Sequence, residues 1–366
     1  MKTKKQVFAP FILLSLWLIS QSAYSARLQD YLSDTAFPDS FWQISSPETE
    51  GLNAKNLNDA LNFIEEKNYE IHSFSIIKNG KLVFDRYGQL RKTDEDLQLT
   101  PNSRHELFST TKTVTSALLG VAIAEGKIAG VDTKVLDYFP GVPVKGINDY
   151  KKALTLENLL TMQSGLENAE GGEADLYSSD RYPTSAFAFL DQPSILTPGD
   201  QWNYNSGNSQ ILAEVLRKTT GKTPQDYAQE KLFNPLGISD VQWSADKSGT
   251  HYGGWGLFLK PRDLARFGYM YLHGGRWGDQ QLVPKNWVQV STQPHSETPW
   301  AGGQYGYHCW VPRIGGYATT GYKGQDMFMF PEKDLVVLFT SNLPHDRADE
   351  ILIDLVEKFV LAGLAQ

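Results

Sequence analysis

The stretch ELFSTTKTVTSALLG, residues 106–120, sets a serine and a lysine three positions apart where an apolar helical pattern begins. The pattern predicts a helix over 109–125 with one apolar face, formed by Val114, Ala117, Leu118 and Val121. Residues i and i+3 are neighbours on a helix, so the side chains of Ser109 and Lys112 can cooperate there. We expect burial of the helix to fix this pair and to lower the pKa of Lys112, which suits a base.

Ser-x-x-Lys occurs at two other places, and neither offers the same geometry. Ser75 and Lys78 lie in a predicted strand, where positions i and i+3 point to opposite faces. Ser244 and Lys247 lie in the polar turn WSADKSG. For Ser109 and Lys112 one alternative stays open, in which the serine is a helix N-cap and the lysine a surface residue.

The flanking sequence predicts both strands and helices. HSFSIIKNGKLVFDRYG, residues 72–88, predicts two strands joined by an Asn79-Gly80 turn. DMFMF and DLVVLFTS near the C-terminus read as further strands. Further helices are predicted around 57–64, 208–219 and 224–232, from Pro261 onward and over 346–363.

Hairpins without regular βαβ alternation favour an antiparallel sheet. We therefore predict an α+β fold in which the N- and C-terminal parts share one sheet and the middle is a helical insertion. The predicted sheet domain is discontinuous, with residues 26–135 and 250–366, and the helical domain spans 136–249.

Composition and termini limit the classes of protein. The 366 residues carry a formal net charge of -8, which argues against nucleic-acid binding. The basic MKTKK, an apolar run and the small residues QSAYSA predict a signal peptide at 1–25, cut after about Ser25 or Ala26. An uncleaved anchor is the alternative. The single cysteine, Cys309, is predicted to be buried and not a nucleophile.

Three motifs follow one another in the chain. The first is Ser109-Thr110-Thr111-Lys112, and the second is Tyr204-Asn205-Ser206 after the turn Pro198-Gly199. The third is Thr319-Thr320-Gly321, and framework stretches lie at 159–167, 232–238 and 253–275. In order and content these motifs resemble those of the serine β-lactamase and penicillin-binding-protein superfamily, in its class C-like branch of esterases, peptidases and amide hydrolases.

The resemblance implies a fold and a mechanism. The fold is β-lactamase/transpeptidase-like, with an antiparallel sheet flanked by helices, a mainly helical domain, and the active site in the cleft between them. Ser109 is the implied nucleophile of acyl transfer, and Tyr204, which lies beside Lys112, is the implied general base. Whether Lys112 or Tyr204 takes the first proton stays open, because the two groups titrate together. Tyr177-Ser178-Ser179 copies the pattern of the second motif, but the Pro-Gly context favours Tyr204.

Five residues are the implied oxyanion and substrate contacts. The backbone N–H groups of Ser109 and Tyr322 are expected to hold the oxyanion, and glycine suits the preceding position because it permits close approach. The full set of contacts is Tyr322, Gly321, Ser206, Thr319 and Thr320. No metal and no organic cofactor is implied.

Two departures from the family motifs bear on the substrate. Ser206 stands where asparagine is usual, and Thr319 replaces the lysine or histidine that pairs with a substrate carboxylate. Lys323 is the one nearby cation that the sequence offers as a substitute. Both departures are tolerated in the branch that contains esterases and 6-aminohexanoate-dimer hydrolases.

We therefore predict an exported hydrolase, periplasmic or secreted, acting on a small-molecule ester or amide. The alternatives are a β-lactamase or D,D-peptidase and a non-catalytic penicillin-binding-type module. No nucleic-acid partner and no stable membrane insertion after signal cleavage are expected, and the sequence does not indicate an oligomeric state.

Other hydrolase signatures are missing or broken. The chain has no Gly-x-Ser-x-Gly elbow. HELFS, residues 105–109, starts like a zinc-protease motif but has serine where the second histidine belongs. His105 and Glu106 are instead expected to begin the helix.

Overall fold

The computed structural model describes residues 42–88, 99–167, 176–177, 182–299 and 303–365. All of these described residues belong to one compact unit. The predicted signal peptide lies outside the described residues. No described helix combines the length and the apolar character that a bilayer crossing requires.

The predicted helices are present, with shifted ends. Those at 57–64, 208–219 and 224–232 and the helix at Pro261 are confirmed, and 224–232 divides into an α-helix and a π-turn, Gln229–Phe233. The α-helices of the described residues are α1 (Ala54–Glu66), α2 (Thr111–Ala124), α3 (Asp149–Ala153), α4 (Leu156–Leu160), α5 (Ser185–Leu190), α6 (Ser206–Thr220), α7 (Pro224–Ala228), α8 (Pro261–Leu272), α9 (Lys285–Ser291) and α10 (Ala348–Leu355).

The strands include all four that the sequence predicts. They are β1 (Gln43–Ile44), β2 (Ile71–Lys78), β3 (Lys81–Tyr87), β4 (His105–Glu106), β5 (Gln242–Trp243), β6 (Leu257–Leu259), β7 (Arg276–Trp277), β8 (Gln280–Gln281), β9 (Ser296–Glu297), β10 (Gln304–Tyr305), β11 (Trp310–Val311), β12 (Tyr317–Thr319), β13 (Met327–Phe330) and β14 (Leu335–Ser341).

One nine-stranded sheet joins the two ends of the described chain. Its order is β1-β3-β2-β14-β13-β12-β11-β10-β9, antiparallel except for the short β1–β3 pair. At its centre Ile77 of β2 lies opposite Val336 of β14. The prediction of a shared antiparallel sheet is therefore confirmed.

The β2–β3 hairpin forms where its turn residues allow it. Asn79 and Gly80 both have positive φ, 51° and 74°, and Lys78 pairs with Lys81 across them. Two successive positive φ values define the hairpin turn that matches the twist of the strands, and asparagine and glycine tolerate them best.

Alternating side chains of the sheet feed two cores. Phe328 and Val337 pack in a cluster with residues of α1 and α10. Met327 and Val336 pack in the other cluster, with α2, α6 and α8. Because side chains alternate between the two faces of the sheet, helices pack on both faces. Helix α2 lies inside the core that contains Met327 and Val336.

Helix α2 differs from its prediction. The sequence predicts one apolar face, but all residues from Thr111 to Ala122 are buried. The reason is packing on several sides, because α2 contacts α6, α7 and α9. Gly120 illustrates how close the fit is, since a Cβ there would lie 2.2 Å from the Trp287 ring.

Two other expectations about element boundaries are corrected. His105 and Glu106 do not begin the helix; they form β4, which pairs with Leu259 and Phe258 of β6. The C-terminal helix, predicted over 346–363, is α-helical only over Ala348–Leu355 and continues as a π-turn and a 3-10 turn. The predicted domain boundaries at 135/136 and 249/250 stay a prediction.

Candidate active site

Ser109 lies in a tight turn at the entrance to α2. Phe108–Thr110 form a 3-10 turn between β4 and α2, and the Leu107 N–H donates to the Leu257 carbonyl at 2.8 Å. Phe108 has a φ of 45°, a left-handed value that is uncommon for a bulky residue. Strain of this kind persists only where the surroundings hold it, and it occurs often at functional sites.

Lys112 is buried beneath this turn. It is 2% exposed, and its Nζ donates to Ser109 Oγ at 3.0 Å, to Ser206 Oγ at 3.2 Å and to the Gly254 carbonyl at 3.0 Å. An ammonium group has three N–H donors, so these acceptors match its charged form. The alternative of a surface lysine is therefore wrong, because burial and these contacts hold Lys112 inside.

The N-cap alternative for Ser109 is wrong as well. Thr110 precedes the first residue of α2, and no side chain caps this helix end. The Ser109 hydroxyl oxygen instead accepts from Lys112.

Tyr204 covers the ammonium of Lys112. The Lys112 Nζ lies 4.7 Å from the centroid of the Tyr204 ring, a favourable cation–π distance. The ring is held by Trp202, with centroids 6.0 Å apart, and by Trp310, at 6.2 Å. The second motif thus meets the first.

The end of α6 explains how Ser206 reaches Lys112. Asn205 is the N-cap of α6, and its Oδ1 accepts from the Gly207 N–H at 2.8 Å. The helix therefore begins at Ser206, whose hydroxyl lies on the Lys112 side.

The structure adds Gly254, which the sequence analysis did not single out. A Cβ on Gly254 would lie 3.3 Å from Lys112 Nζ, and one on Gly253 only 2.0 Å from the Ser209 carbonyl oxygen. The pair of glycines lets this loop approach α6 and direct a carbonyl at the lysine. The Gly-Gly pair inside the stretch 253–275 was the available signal.

The third motif packs behind the Ser109 turn. Thr319 is fully buried, and its hydroxyl lies 3.1 Å from the hydroxyl of Thr110, which donates to the Gln325 carbonyl at 2.7 Å. Thr320 follows the end of β12 and is partly buried. The Thr319 side chain therefore joins the two segments from inside and does not reach the surface.

The residues after Thr320 form the turn 321–325. A Cβ on Gly321 would lie 2.3 Å from the Leu107 carbonyl oxygen, so only glycine fits against the Ser109 turn. Tyr322 is 48% exposed, and its ring meets Phe108 edge-on at 5.4 Å. Lys323 donates to Asn342 Oδ1 at 2.8 Å, so its cation is engaged at β14's end.

His308 and Cys309 are buried on the inner side of the site. Burial and then the nearby Lys112 charge lower the pKa of His308 to about 3, so the imidazole is neutral. Its Nε2 lies 2.9 Å from Ser209 Oγ, and its carbonyl accepts from Thr113 at 2.7 Å. Burial raises the pKa of Cys309 to about 12, which makes an activated thiolate unfavourable.

The other two Ser-x-x-Lys pairs do not form sites. Ser75 donates to Asp85 at 2.6 Å, whereas Lys78 donates to Asn79 at 2.5 Å. The Ser244 N–H donates to the Gly256 carbonyl, and Lys247 is exposed. In the described part of the chain no group of three or more His, Cys, Asp or Glu side chains could hold a metal ion.

Comparison with known proteins places the chain in a family. Residues 65–360 match the model of the Beta-lactamase family. A protein of Escherichia coli K12, provisionally named a D-alanyl-D-alanine carboxypeptidase, is 23% identical, with 82% of this chain and 85% of that one aligned. A 6-aminohexanoate-dimer hydrolase of Paenarthrobacter ureafaciens is also 23% identical, over 67% of each chain.

Solved structures share the fold. A Bacillus anthracis structure, provisionally described as a 6-aminohexanoate-dimer hydrolase, superposes with a TM-score of 0.71 at 20% identity and covers 92% of this chain and 90% of its own. The predicted β-lactamase/transpeptidase-like fold is therefore confirmed, and amide and ester hydrolases are among the structural neighbours.

Proposed function

Since this chain belongs to the Beta-lactamase family of serine hydrolases, we propose that it cleaves an ester or a small amide through an acyl-serine intermediate on Ser109. One observation carries the proposal: the buried Lys112 ammonium donates to Ser109 Oγ at 3.0 Å. Because the Ser109 oxygen accepts a hydrogen bond from Lys112, the hydroxyl proton of Ser109 is available for transfer to a base.

Tyr204 is the base that the contacts favour. The three oxygens around Lys112 Nζ match the three N–H groups of a protonated amine, and a protonated amine cannot accept the serine proton. The same positive charge, 4.7 Å from the Tyr204 ring, stabilises a phenolate. This division of roles resolves, as a proposal, the choice that the sequence left open.

The chemical steps then balance. Tyr204 takes the proton of Ser109 as Oγ bonds to the carbonyl carbon, and the carbonyl oxygen becomes the oxyanion. When the oxyanion collapses, the bond to the leaving alcohol or amine breaks and that group takes the proton from Tyr204. Water repeats both steps on the acyl-serine, releasing the acid and free Ser109.

The oxyanion is stabilised by the N–H groups of Ser109 and Tyr322. The close packing of Gly321 on the Leu107 carbonyl supports this, since it brings the turn 321–325 beside the Ser109 turn. Donors fixed in this way need no reorganisation when charge develops, which is where such sites gain rate.

An uncharged acyl group suits the surroundings of Ser109. Phe108 and Tyr322 form an aromatic contact beside it, and Trp255, which follows Gly254, stacks on Tyr252 at 4.3 Å. Thr319 offers no cation for a substrate carboxylate, and Lys323 is bound to Asn342. These features favour an ester or neutral amide over a β-lactam or a peptide C-terminus.

Export is part of the proposal and rests on the sequence of residues 1–26. Fractionation of expressing cells, with N-terminal sequencing of the product, tests it. A mature N-terminus near residue 26 in the periplasm or medium supports export, and a full-length protein in the cytoplasm refutes it.

Intact-mass spectrometry tests the chemistry. The protein and Ser109→Ala are mixed briefly with a p-nitrophenyl short-chain ester, and separately with a penicillin. We expect an acyl adduct from the ester that turns over and that Ser109→Ala lacks. A long-lived penicillin adduct would instead indicate a D,D-peptidase, turnover of the penicillin a β-lactamase, and no adduct from either a non-catalytic module.

A further inference from the structure

Asp326 is a buried acid that the proposed mechanism does not use. It is fully buried and lies just before β13. Its backbone is fixed by Phe339 of β14, through N···O distances of 3.1 and 2.8 Å. Its Oδ1 accepts the Gly321 N–H at 3.1 Å, so it contacts the turn that carries Tyr322.

The second oxygen of Asp326 has an unusual environment. Among the described residues no donor reaches the buried Oδ2. The nearest acid that acts on Asp326 is Asp349, and each of the two carboxyl groups changes the pKa of the other. Two ionised carboxylates cannot hydrogen-bond to each other, whereas a proton on Oδ2 makes Asp326 the missing donor.

Position decides which acid carries the proton. Asp349 is in the first turn of α10, where the helix dipole favours negative charge. Asp326 lies before a strand and not at a helix N-terminus. Burial, followed by the charge of Asp349, raises the pKa of Asp326 well above the usual range, against the lowering effect of the Gly321 N–H. Burial also raises the pKa of Asp349, to about 6.

We propose that Asp326 and Asp349 share one proton, and that this acid pair holds Gly321 so that the turn 321–325 presents the Tyr322 N–H to the substrate. The inference rests on the proposed function and makes both acids positioning residues. The turn is clamped between the Leu107 carbonyl, which leaves no room for a Cβ at Gly321, and Asp326 Oδ1.

Loss of the shared proton has a predictable consequence. It puts a second negative charge next to the turn where the oxyanion develops, which disfavours the transition state.

Other charged groups face the pair from the neighbouring elements. His345 favours ionisation of Asp349 and Glu350 opposes it, while Lys323 of the turn is bound to Asn342.

Four variants test the pair by the pH dependence of ester hydrolysis. Asp326→Asn copies the protonated acid, with an oxygen for Gly321 and an N–H for Asp349. Asp326→Ala removes both contacts, and Asp349→Asn removes the partner's charge. Asp346→Asn, the control, removes an exposed acid that lies just before α10.

We expect Asp326→Ala to lower kcat about tenfold or more with little change in KM, because the oxyanion donor is misplaced. Asp326→Asn should restore kcat to within about threefold at pH 6. Both Asn variants should lack the fall in kcat with rising pH that the pair causes in the wild type and in Asp346→Asn. Wild-type kcat in Asp326→Ala, or unchanged pH profiles in both Asn variants, would overturn the positioning role.

Thermal unfolding separates this inference from the proposed function. The acid pair has a higher pKa in the folded protein than in the unfolded chain. The stability that the pair contributes is therefore lost as the pH rises through the folded-state pKa, from about pH 4 to beyond 6. The wild type should therefore lose more Tm between pH 5 and 8 than Asp326→Asn does. Equal losses of Tm in the two proteins would refute the shared proton. Because this measurement does not depend on ester hydrolysis, it tests the shared proton even if the proposed function is wrong.

Discussion

Lys112 holds a charge where a lysine is costly to bury. Transfer of an unpaired ammonium from water into a protein interior costs several kcal/mol. Here two hydroxyl oxygens and one carbonyl oxygen replace the lost water, and the Tyr204 ring covers a further side. The ammonium group joins the Ser109 turn, the start of α6 and the Gly254 loop, and the proposed function gives the same charge a chemical role.

Replacement of Lys112 by methionine should therefore abolish activity while the fold persists. Methionine fills the space of the aliphatic chain but cannot donate to Ser109. We expect kcat/KM for a p-nitrophenyl ester to fall by about 10³-fold or more.

Lys151 provides the matched control for this substitution. It is 1% exposed, and its Nζ donates to the Lys145 carbonyl at 2.8 Å, a contact outside the candidate site. Lys151→Met should change stability but leave kcat/KM within about threefold. Equal losses of activity in the two variants would remove the special role of Lys112.

Tyr204 should act through its hydroxyl group. Tyr204→Phe keeps the ring over Lys112 but removes the proton acceptor, so we expect kcat to fall by about 10²–10⁴-fold. Steady-state kinetics with a neutral ester measure the effect.

The control for Tyr204 comes from the same aromatic cluster. Tyr305 is fully buried, and its ring packs 6.0 Å from Trp202. Tyr305→Phe should keep kcat within about threefold. If Tyr204→Phe behaves like Tyr305→Phe, Tyr204 is a packing residue and another group is the base.

At the scale of single residues, the sequence identified side chains better than backbone groups. Ser109, Lys112, Tyr204 and Ser206 meet, because each has a functional group that a motif can specify. The Gly254 carbonyl was not predicted, since every residue has a carbonyl and only the fold directs this one at Lys112. Thr319 was predicted as a substrate contact, but its buried position could not be inferred from its type.

At the scale of elements, α2 shows that packing can override propensity. Alanine is favoured over glycine inside a helix by about 1 kcal/mol. At Gly120, however, an added Cβ would lie 2.2–2.5 Å from three atoms of the Trp287 ring. Relief of such overlap requires movement of a large buried side chain, which typically costs about 1–3 kcal/mol.

We therefore expect Gly120→Ala to lower the free energy of unfolding by about 1–2 kcal/mol. Urea unfolding followed by circular dichroism measures this difference. In a Trp287→Leu background the overlap is removed, so the same Gly120→Ala change should be neutral or stabilising. Destabilisation of equal size in both backgrounds would mean that Trp287 is not the cause.

The hairpin β2–β3 and helix α2 show which ends of strands and helices can be predicted from sequence. The Asn79-Gly80 turn requires positive φ at both residues, so the hairpin was predicted with its ends nearly correct. The start of α2 was not predicted correctly, because the 3-10 turn at Phe108–Thr110 depends on contacts with β6 and with the turn 321–325. Burial on all sides of α2 likewise depends on helices far away in the chain.

At the scale of the whole molecule, the sheet ties the two ends of the described chain together. β2 and β14 pair over seven positions, and the hairpin β2–β3 extends the sheet to β1. Local pattern predicted that these strands exist, but their order and register depend on which faces bury which side chains. Alternation at 327–330 and 335–339 settles this by filling a different core on each face.

Acid sensitivity should follow from the ion pair between Glu50 and Lys81 at the β1–β3 edge of the sheet. Glu50 is 7% exposed and accepts from Lys81 at 2.7 Å, from Ser45 at 2.8 Å and from Asn79 at 3.0 Å, which ties β1 to the hairpin turn. The bond from Lys81 is the main cause that lowers the pKa of Glu50 from 4.5 to about 2, against the opposing effect of burial. A lowered pKa in the folded state stabilises the protein above the unfolded value, and this stabilisation is lost as pH falls through about 2.

Urea unfolding at two pH values tests this contribution with Glu50→Gln and with Glu48→Gln, an exposed residue of the same 3-10 turn, Glu48–Glu50. At pH 7 we expect Glu50→Gln to lower the free energy of unfolding by about 1–3 kcal/mol and Glu48→Gln to change it little. At pH 3 the deficit of Glu50→Gln should narrow by about 1–2 kcal/mol, because the unfolded wild type is then protonated at Glu50. His105 and His308, whose pKa values are lowered mainly by burial to about 4 and about 3, also make the fold acid-sensitive, but equally in all three proteins. A deficit that is the same at both pH values would show that the Lys81 contact does not stabilise the ionised form of Glu50.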